Sequence, residues 1–150
     1  MRIVLQRVTE ASVKIENEVK GQIDHGFLIL VGIENEDEKS DADWLIQKIN
    51  GLRVFADQEG KMNLSIQDVK GSILLISQFT LFASTKKGNR PSYIQAARPE
   101  IAIPLYAYFT EQLKIQTQLK VETGVFGADM KVSLINDGPV TISIDSKNRE

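Results

Sequence analysis

Ser77, Gln78 and Thr80 are three hydrogen-bonding side chains, none charged, placed directly after the apolar run Ile73-Leu74-Leu75-Ile76. Four apolar residues in a row read as a strand buried on both faces. That strand is expected to continue through Phe79, Thr80, Leu81 and Phe82 to Ala83. A polar group left unpaired inside a protein costs roughly 1–3 kcal/mol. The polar run therefore points either to a pocket completed by a ligand or to local pairing with backbone at the strand's exit. Its chemistry is narrow. Ser77 and Thr80 supply hydroxyls, and a hydroxyl nucleophile needs an adjacent base. The chain contains no cysteine and one histidine, His25, which lies in the turn Asp24-His25-Gly26. No Gly-x-Ser-x-Gly elbow presents a nucleophile. A lone histidine cannot build a histidine-rich metal site, and thiolate sites and disulfides need cysteine. No metal and no cofactor is expected. Any catalysis falls to hydroxyls, amides, backbone groups or the substrate itself.

A second constellation is Asn136-Asp137-Gly138-Pro139-Val140-Thr141. Asn, Asp, Gly and Pro each favour turns, so the stretch reads as a hairpin connection between two strands. A Gly-Pro step allows another reading. Glycine permits close approach, proline donates no hydrogen bond, and X–Pro bonds can be cis. A cis step could align neighbouring carbonyls as an acceptor pair for an ammonium group.

The elements that position these residues follow from periodicity. Arg2–Ile15 and Val19–Ile23 alternate apolar and polar residues as half-buried strands do, and Phe27–Ile33 reads as a more buried third strand. Ala42, Leu45, Ile46, Ile49 and Leu52 fall at helical spacing, with Ser40 and Asp43 placed like a capping box. Arg53–Ala56 is a short strand ended by the turn Asp57-Gln58-Glu59-Gly60. Ile101, Leu105, Tyr108, Phe109 and Gln112 predict one face of a second helix, with Pro99 or Pro104 in its first turn. Lys131–Ile135 and Val140–Ile144 are period-two strands. The expected fold is a single α/β domain over residues 1–150, with mixed, mostly antiparallel sheets in a layered β/β/α arrangement and two main helices.

Composition fits an ordinary globular protein, 42% hydrophobic and 25% charged over 150 residues,. No apolar run reaches the roughly 20 residues of a membrane helix, and the N-terminus lacks a signal peptide's apolar core. A cytoplasmic location without membrane contact is expected. A net charge of −2 argues against strong nonspecific nucleic-acid binding. The acidic stretch Glu34–Asp43 reads as a solvated lead-in to a helix N-terminus. Lys86-Lys87-Gly88-Asn89-Arg90 is the one compact basic loop, close enough to the polar strand for a phosphate contact.

Ser77-Gln78-Phe79-Thr80-Leu81 followed by Ala83, together with Asn136-Asp137-Gly138-Pro139-Val140-Thr141, resembles the two signature motifs of the D-aminoacyl-tRNA deacylases. The similarity extends to Met1–Val8, Gly60–Ser65 and Gly124–Met130. The resemblance implies hydrolysis of the ester joining a D-amino acid, or glycine mischarged on tRNA-Ala, to the terminal adenosine of tRNA. It implies a homodimer, with no other protein partner, in which cis Gly138-Pro139 enters the partner's pocket, holds the substrate's α-amino group and rejects L-residues. It places Arg7 near that element and Phe126 and Met130 around the adenine. Ser77, Gln78 and the backbone at Phe79 would supply oxyanion donors, with the ribose 2′-hydroxyl assisting. Thr80 would position the substrate, covalent catalysis being the alternative role. The basic loop would meet acceptor-stem phosphates. Two other functions are compatible with the residues alone: a non-catalytic RNA-binding module, or a hydrolase of free D-amino acid esters.

Overall fold

The computed structural model describes residues 1–149. Its spine is β1 (Arg2–Ile15), whose two edges are both occupied. On one edge β3 (Gly26–Gly32) pairs antiparallel with the first half, from Arg2↔Gly32 to Val8↔Gly26. On the same edge β2 (Glu18–Ile23) pairs with the second half, from Ala11↔Ile23 to Ile15↔Glu18. The other edge carries β8 (Lys131–Asp145) from Arg2↔Asp145 to Lys14↔Lys131.

Parallel neighbours extend the sheet beyond β3. β6 (Ser72–Ser77) pairs with β3, and β7 (Val121–Thr123) pairs with β6. Parallel strands need long crossovers. The first contains helix α1 (Lys39–Gly51) and a small antiparallel pair, β4 (Phe55–Ala56) with β5 (Met62–Leu64). The second contains helix α2 (Pro99–Thr117). The result is a mixed six-stranded sheet, mostly antiparallel, with two helices on one side.

Each face of the sheet has its own core, which explains the unbroken apolar run in β6. Successive strand side chains point to opposite faces. Ile73 and Leu75 pack beneath the helices with Ile3, Leu5, Phe27, Leu45, Ile49 and Phe109. Leu74 and Ile76 face a second cluster with Val8, Val13, Ile23 and Leu28, enclosed by the curled sheet. Met130, Val132 and Leu134 pack against that second cluster.

Several sequence expectations are revised. The α1 face is as expected, burying Ala42, Leu45, Ile46 and Ile49, but the helix starts earlier. Its capping pair is Glu38 and Asp41, not Ser40 and Asp43: the Glu38 N–H donates to the Asp41 carboxylate at 2.9 Å. In α2, Pro99 occupies the first turn and Pro104 lies inside the helix. Its buried face is Ala102, Leu105, Tyr106, Phe109 and Leu113, while Ile101 is exposed and Tyr108 and Gln112 lie at the margin. The strand predicted over Arg53–Ala56 shrinks to its last two residues. His25 is an exposed turn residue, as expected, with its ring stacked on Phe55 at 4.9 Å.

The largest departure concerns the C-terminal strands. Asn136–Thr141 does not reverse the chain, because both flanking segments pair with β1 in one antiparallel direction. Gln6 pairs with Thr141 and Val8 with Asn136. Two steps along β1 thus match five along β8, so the ladder leaves out three residues of β8. The turn-forming composition encodes an outward bulge within one long strand.

Candidate active site

β6 ends at Ser77, and the polar residues beyond it are not on a strand. Gln78 turns the chain, its N–H donating to the Val31 carbonyl at 2.7 Å. Phe79–Phe82 then forms a single 3-10 turn. This corrects the expectation of a strand running through to Ala83. Nor are the polar side chains buried and orphaned. Ser77, Gln78 and Thr80 are each half-buried, and among the described residues no buried side-chain polar atom lacks a partner.

The turn has two consequences. It directs Ser77, Gln78 and Phe79 to one wall of a cavity of about 270 Å³. It also leaves the first N–H groups of the turn, at Phe79 and Thr80, without partners inside the helix. Such donors suit a developing oxyanion. Thr80 is not part of the wall. Its hydroxyl oxygen accepts a hydrogen bond from the Gln78 amide at 2.6 Å, which ties the two side chains together.

The opposite wall comes from the segment leading into β8. Phe126, Gly127, Ala128, Asp129 and Met130 line the cavity, together with Val31, Ile76, Val132, Ala97 and Ala102. Phe126 packs on Tyr106 at 5.8 Å between ring centres. The Tyr106 hydroxyl in turn donates to the Leu75 carbonyl at 3.1 Å, so the aromatic wall is anchored to β6. Burial pushes the Tyr106 hydroxyl up to about 12. Met130 reaches its place because Gly124 lacks a side chain, where a Cβ would stand 2.3 Å from the Met130 sulfur. Asp129 is held at the rim by Lys131 at 2.9 Å. Among the described residues no three His, Cys, Asp or Glu side chains gather as a metal site requires.

The sequence-selected residues thus divide into two groups. Ser77, Gln78, Phe79, Phe126 and Met130 meet at the cavity. Arg7, Gly138 and Pro139 meet elsewhere. Val132 lines the cavity and pairs with Val13, whereas Gly138 stands against Arg7, six residues back along β1 and roughly 20 Å of strand at about 3.3 Å per residue,.

Arg7 organises this second group. The Arg7 Nε donates to the Asp137 main-chain oxygen at 3.0 Å and pairs with its carboxylate at 3.2 Å, while Nη1 donates to the Val54 carbonyl. The Arg7 side chain is only 11% exposed. Its second terminal nitrogen would lie 2.6 Å from a Cβ on residue 138, where φ is +117°. Both facts require glycine there. The Gly138-Pro139 bond is cis, and both residues face solvent.

The chain has known relatives over its whole length. Residues 4–145 match the family model described as D-Tyr-tRNA(Tyr) deacylase. The chain is 63% identical to the D-aminoacyl-tRNA deacylase of Phocaeicola vulgatus and 60% identical to that of Flavobacterium psychrophilum, each over the full length of both chains. A solved structure named c-Myc DNA Unwinding Element Binding Protein superposes with a TM-score of 0.91 at 41% identity, covering 97% of this chain and 98% of the other. A probable eukaryotic D-amino acid tRNA deacylase shares the fold, with a TM-score of 0.81 at 14% identity, covering 95% of this chain and 98% of that one. With the matching residues spanning the fold, the cavity and the Arg7–Gly138 bulge, the chain belongs to the D-Tyr-tRNA(Tyr) deacylase family of hydrolases.

Proposed function

We propose that this protein hydrolyses the ester bond between a D-amino acid, or glycine mischarged on tRNA-Ala, and the terminal adenosine of tRNA. The observation that carries the proposal is the cavity where Ser77, Gln78 and Phe79 face Phe126 and Met130. The aromatic and thioether wall suits a base, since both groups pack well on π-faces. The opposite wall suits the ester.

Water adds to the ester carbonyl, and the carbon–oxygen bond to the ribose then breaks. The ribose oxygen leaves with a proton and the amino acid leaves as its carboxylic acid. The N–H groups at Phe79 and Thr80, with Ser77 and Gln78 beside them, stabilise the oxyanion; removing one such donor typically costs about 10²–10³ in rate. Among the described residues Asp129 is the one carboxylate lining the cavity, and it is paired with Lys131, so the neighbouring ribose 2′-hydroxyl assists the proton transfer. Thr80 holds Gln78 in place.

Stereochemical choice resides in Gly138-Pro139. Its carbonyls hold the α-amino group with the Cα hydrogen toward them, so an L side chain collides with backbone while a D side chain points away. Selection by collision also admits glycine, which has no side chain to reject. The bulge lies far from the cavity of its own chain and faces outward, which supports a homodimer whose bulge enters the partner's cavity. Among the described residues β8 is paired along one edge only, by β1, and its open edge is compatible with such an assembly.

Comparing D-tyrosyl-tRNA with D-tyrosine ethyl ester tests the substrate class. Strong preference for the tRNA ester supports this reading. Equal efficiency on both would identify a general D-ester hydrolase, and RNA binding without turnover would identify a binding module.

A further inference from the structure

We infer that Phe79 and Tyr93, with Ile94 beside them, form a ledge on which the nucleotide preceding the terminal adenosine stacks. The inference rests on the deacylase reading and extends it one nucleotide along the substrate.

Phe79, which lines the cavity, stands in the open, and so do Tyr93 and its chain neighbour Ile94. Phe79 is 55% exposed, Tyr93 39% and Ile94 88%. The rings of Phe79 and Tyr93 meet edge to face at 5.1 Å. Phe79 therefore has two roles, since it also lines the cavity. Tyr93 lies directly outside it.

The backbone holds the ledge at that place. The Ala96 N–H donates to the Tyr93 carbonyl at 3.0 Å, and the Ala97 N–H donates to the Ile33 carbonyl at 2.8 Å. Ala97 is itself a cavity residue. On the other side Ser84 and Ser92 exchange backbone hydrogen bonds at 2.8 and 2.9 Å, closing the base of the loop that carries Lys86, Lys87 and Arg90. Along the chain the ledge thus lies between a tie to the cavity wall and the base of the basic loop. Such a placement suits a single strand that enters the cavity by its last nucleotide.

Charge selects nucleic acid rather than protein as the occupant. The chain as a whole has net charge −2, yet residues 69–99 contain no Asp or Glu and five cations, Lys70, Lys86, Lys87, Arg90 and Arg98. Among the described residues, Lys86, Lys87, Arg90 and Arg98 form no ion pair. Aromatic rings beside unpaired cations are the pattern of single-strand recognition, in which every base offers a π-face and the cations track phosphates.

The test uses three esters of D-tyrosine: on adenosine, on the cytidylyl-adenosine dinucleotide, and on tRNA. For the unmodified protein, adding the cytidine is expected to lower KM roughly 5- to 150-fold, the range of base–aromatic stacking. Tyr93→Ala should abolish that gain, leaving kcat and hydrolysis of D-tyrosyl-adenosine within about twofold. Tyr93→Phe should retain the gain. Ile94→Ser, at a residue with almost no packing to lose, should reduce it in a chain whose folding is unaffected. The inference is overturned if the cytidine gain survives both Tyr93→Ala and Ile94→Ser. Equal damage to the adenosine ester would also overturn it, by making Tyr93 a structural part of the cavity. Conversion of a dimer to a monomer by either variant, seen by sedimentation, would assign the ledge to an interface between copies instead. If the unmodified protein cleaves the adenosine and dinucleotide esters with equal efficiency but prefers the tRNA ester, the ledge alone fails. If it cleaves none, the deacylase reading fails and the ledge with it.

Discussion

The Gln78 side-chain amide donates a hydrogen bond to the Thr80 hydroxyl oxygen at 2.6 Å, across a backbone that turns between them. This contact ties Thr80 to Gln78. Its hydroxyl stands outside the cavity, while Gln78 and Ser77 line it. No imidazole or thiolate is near enough to activate it, His25 being in a turn at the far end of β3.

Thr80→Ala is therefore expected to retain turnover, with kcat for D-tyrosyl-tRNA falling about tenfold or less through loosening of Gln78. Single-turnover deacylation checks this. Loss of more than about 10³-fold with substrate binding intact would instead mark Thr80 as a nucleophile.

Gly138→Ala should fail for two reasons that reinforce each other. The new Cβ would press on Arg7 at 2.6 Å, and φ of +117° strains any residue with a side chain,. Displacement of the bulge should cost at least tenfold in kcat/KM for D-tyrosyl-tRNA. Preference over the L-ester should fall with it. The core packs elsewhere, so a thermal melt should show destabilisation of only about 1–2 kcal/mol. An unchanged D/L ratio would separate the bulge from selection.

Much of the fold was legible in the sequence, because burial on two faces leaves a plain signature. The run Ile73–Ile76 is apolar since odd and even residues enter different cores, and α1 follows its helical spacing. What escaped depends on partners distant in sequence. Phe79, Leu81 and Phe82 resemble a continuing strand, and nothing local signals that Gln78 is already bonded to Val31. Asn136–Val140 has the composition of a hairpin. Only the register against β1, set by residues about 130 positions earlier, makes it a bulge. On α2, Leu105 and Phe109 are buried as their spacing predicts, but Ile101 is exposed and Tyr108 lies at the margin, while Ala102, Tyr106 and Leu113 complete the buried face. Phe126 and Met130 had no local signal of a pocket, and their selection came from family resemblance. Phe79 beside Tyr93 was missed, since an exposed aromatic pair cannot be told from a core pair without coordinates.

The basic loop is expected to contribute a measurable electrostatic component. Replacing Lys86, Lys87 and Arg90 together with serine should raise KM for D-aminoacyl-tRNA at low salt. It should also reduce the slope of log KM against log salt by about 2, at roughly 0.7–0.9 per lost phosphate contact. A slope equal to that of the unmodified protein would show that the loop does not meet phosphates.

Tyr106 links the aromatic wall to β6, and its ionisation should leave a mark at high pH. Its hydroxyl is raised from 10.0 to about 12 by burial, so the folded state keeps a proton that the unfolded chain sheds first. The contribution is fully present below pH 10 and is lost as pH rises from 10 to 12. Tyr106→Phe should cost about 1 kcal/mol near neutrality through the lost bond to Leu75. Denaturant melts should show the gap between the two proteins closing above pH 10. A constant gap from pH 8 to 12 would contradict this assignment.

If the Ser77–Phe79 wall of one chain and the Gly138-Pro139 bulge of a second copy form one site, that site cleaves an ester on tRNA and selects its hand. The most direct test is deacylation of D-tyrosyl-tRNA and L-tyrosyl-tRNA prepared on the same tRNA. Rapid release of tyrosine from the D-ester, with the L-ester decaying at its spontaneous rate, is the predicted result. Cleavage of both at similar rates would contradict it.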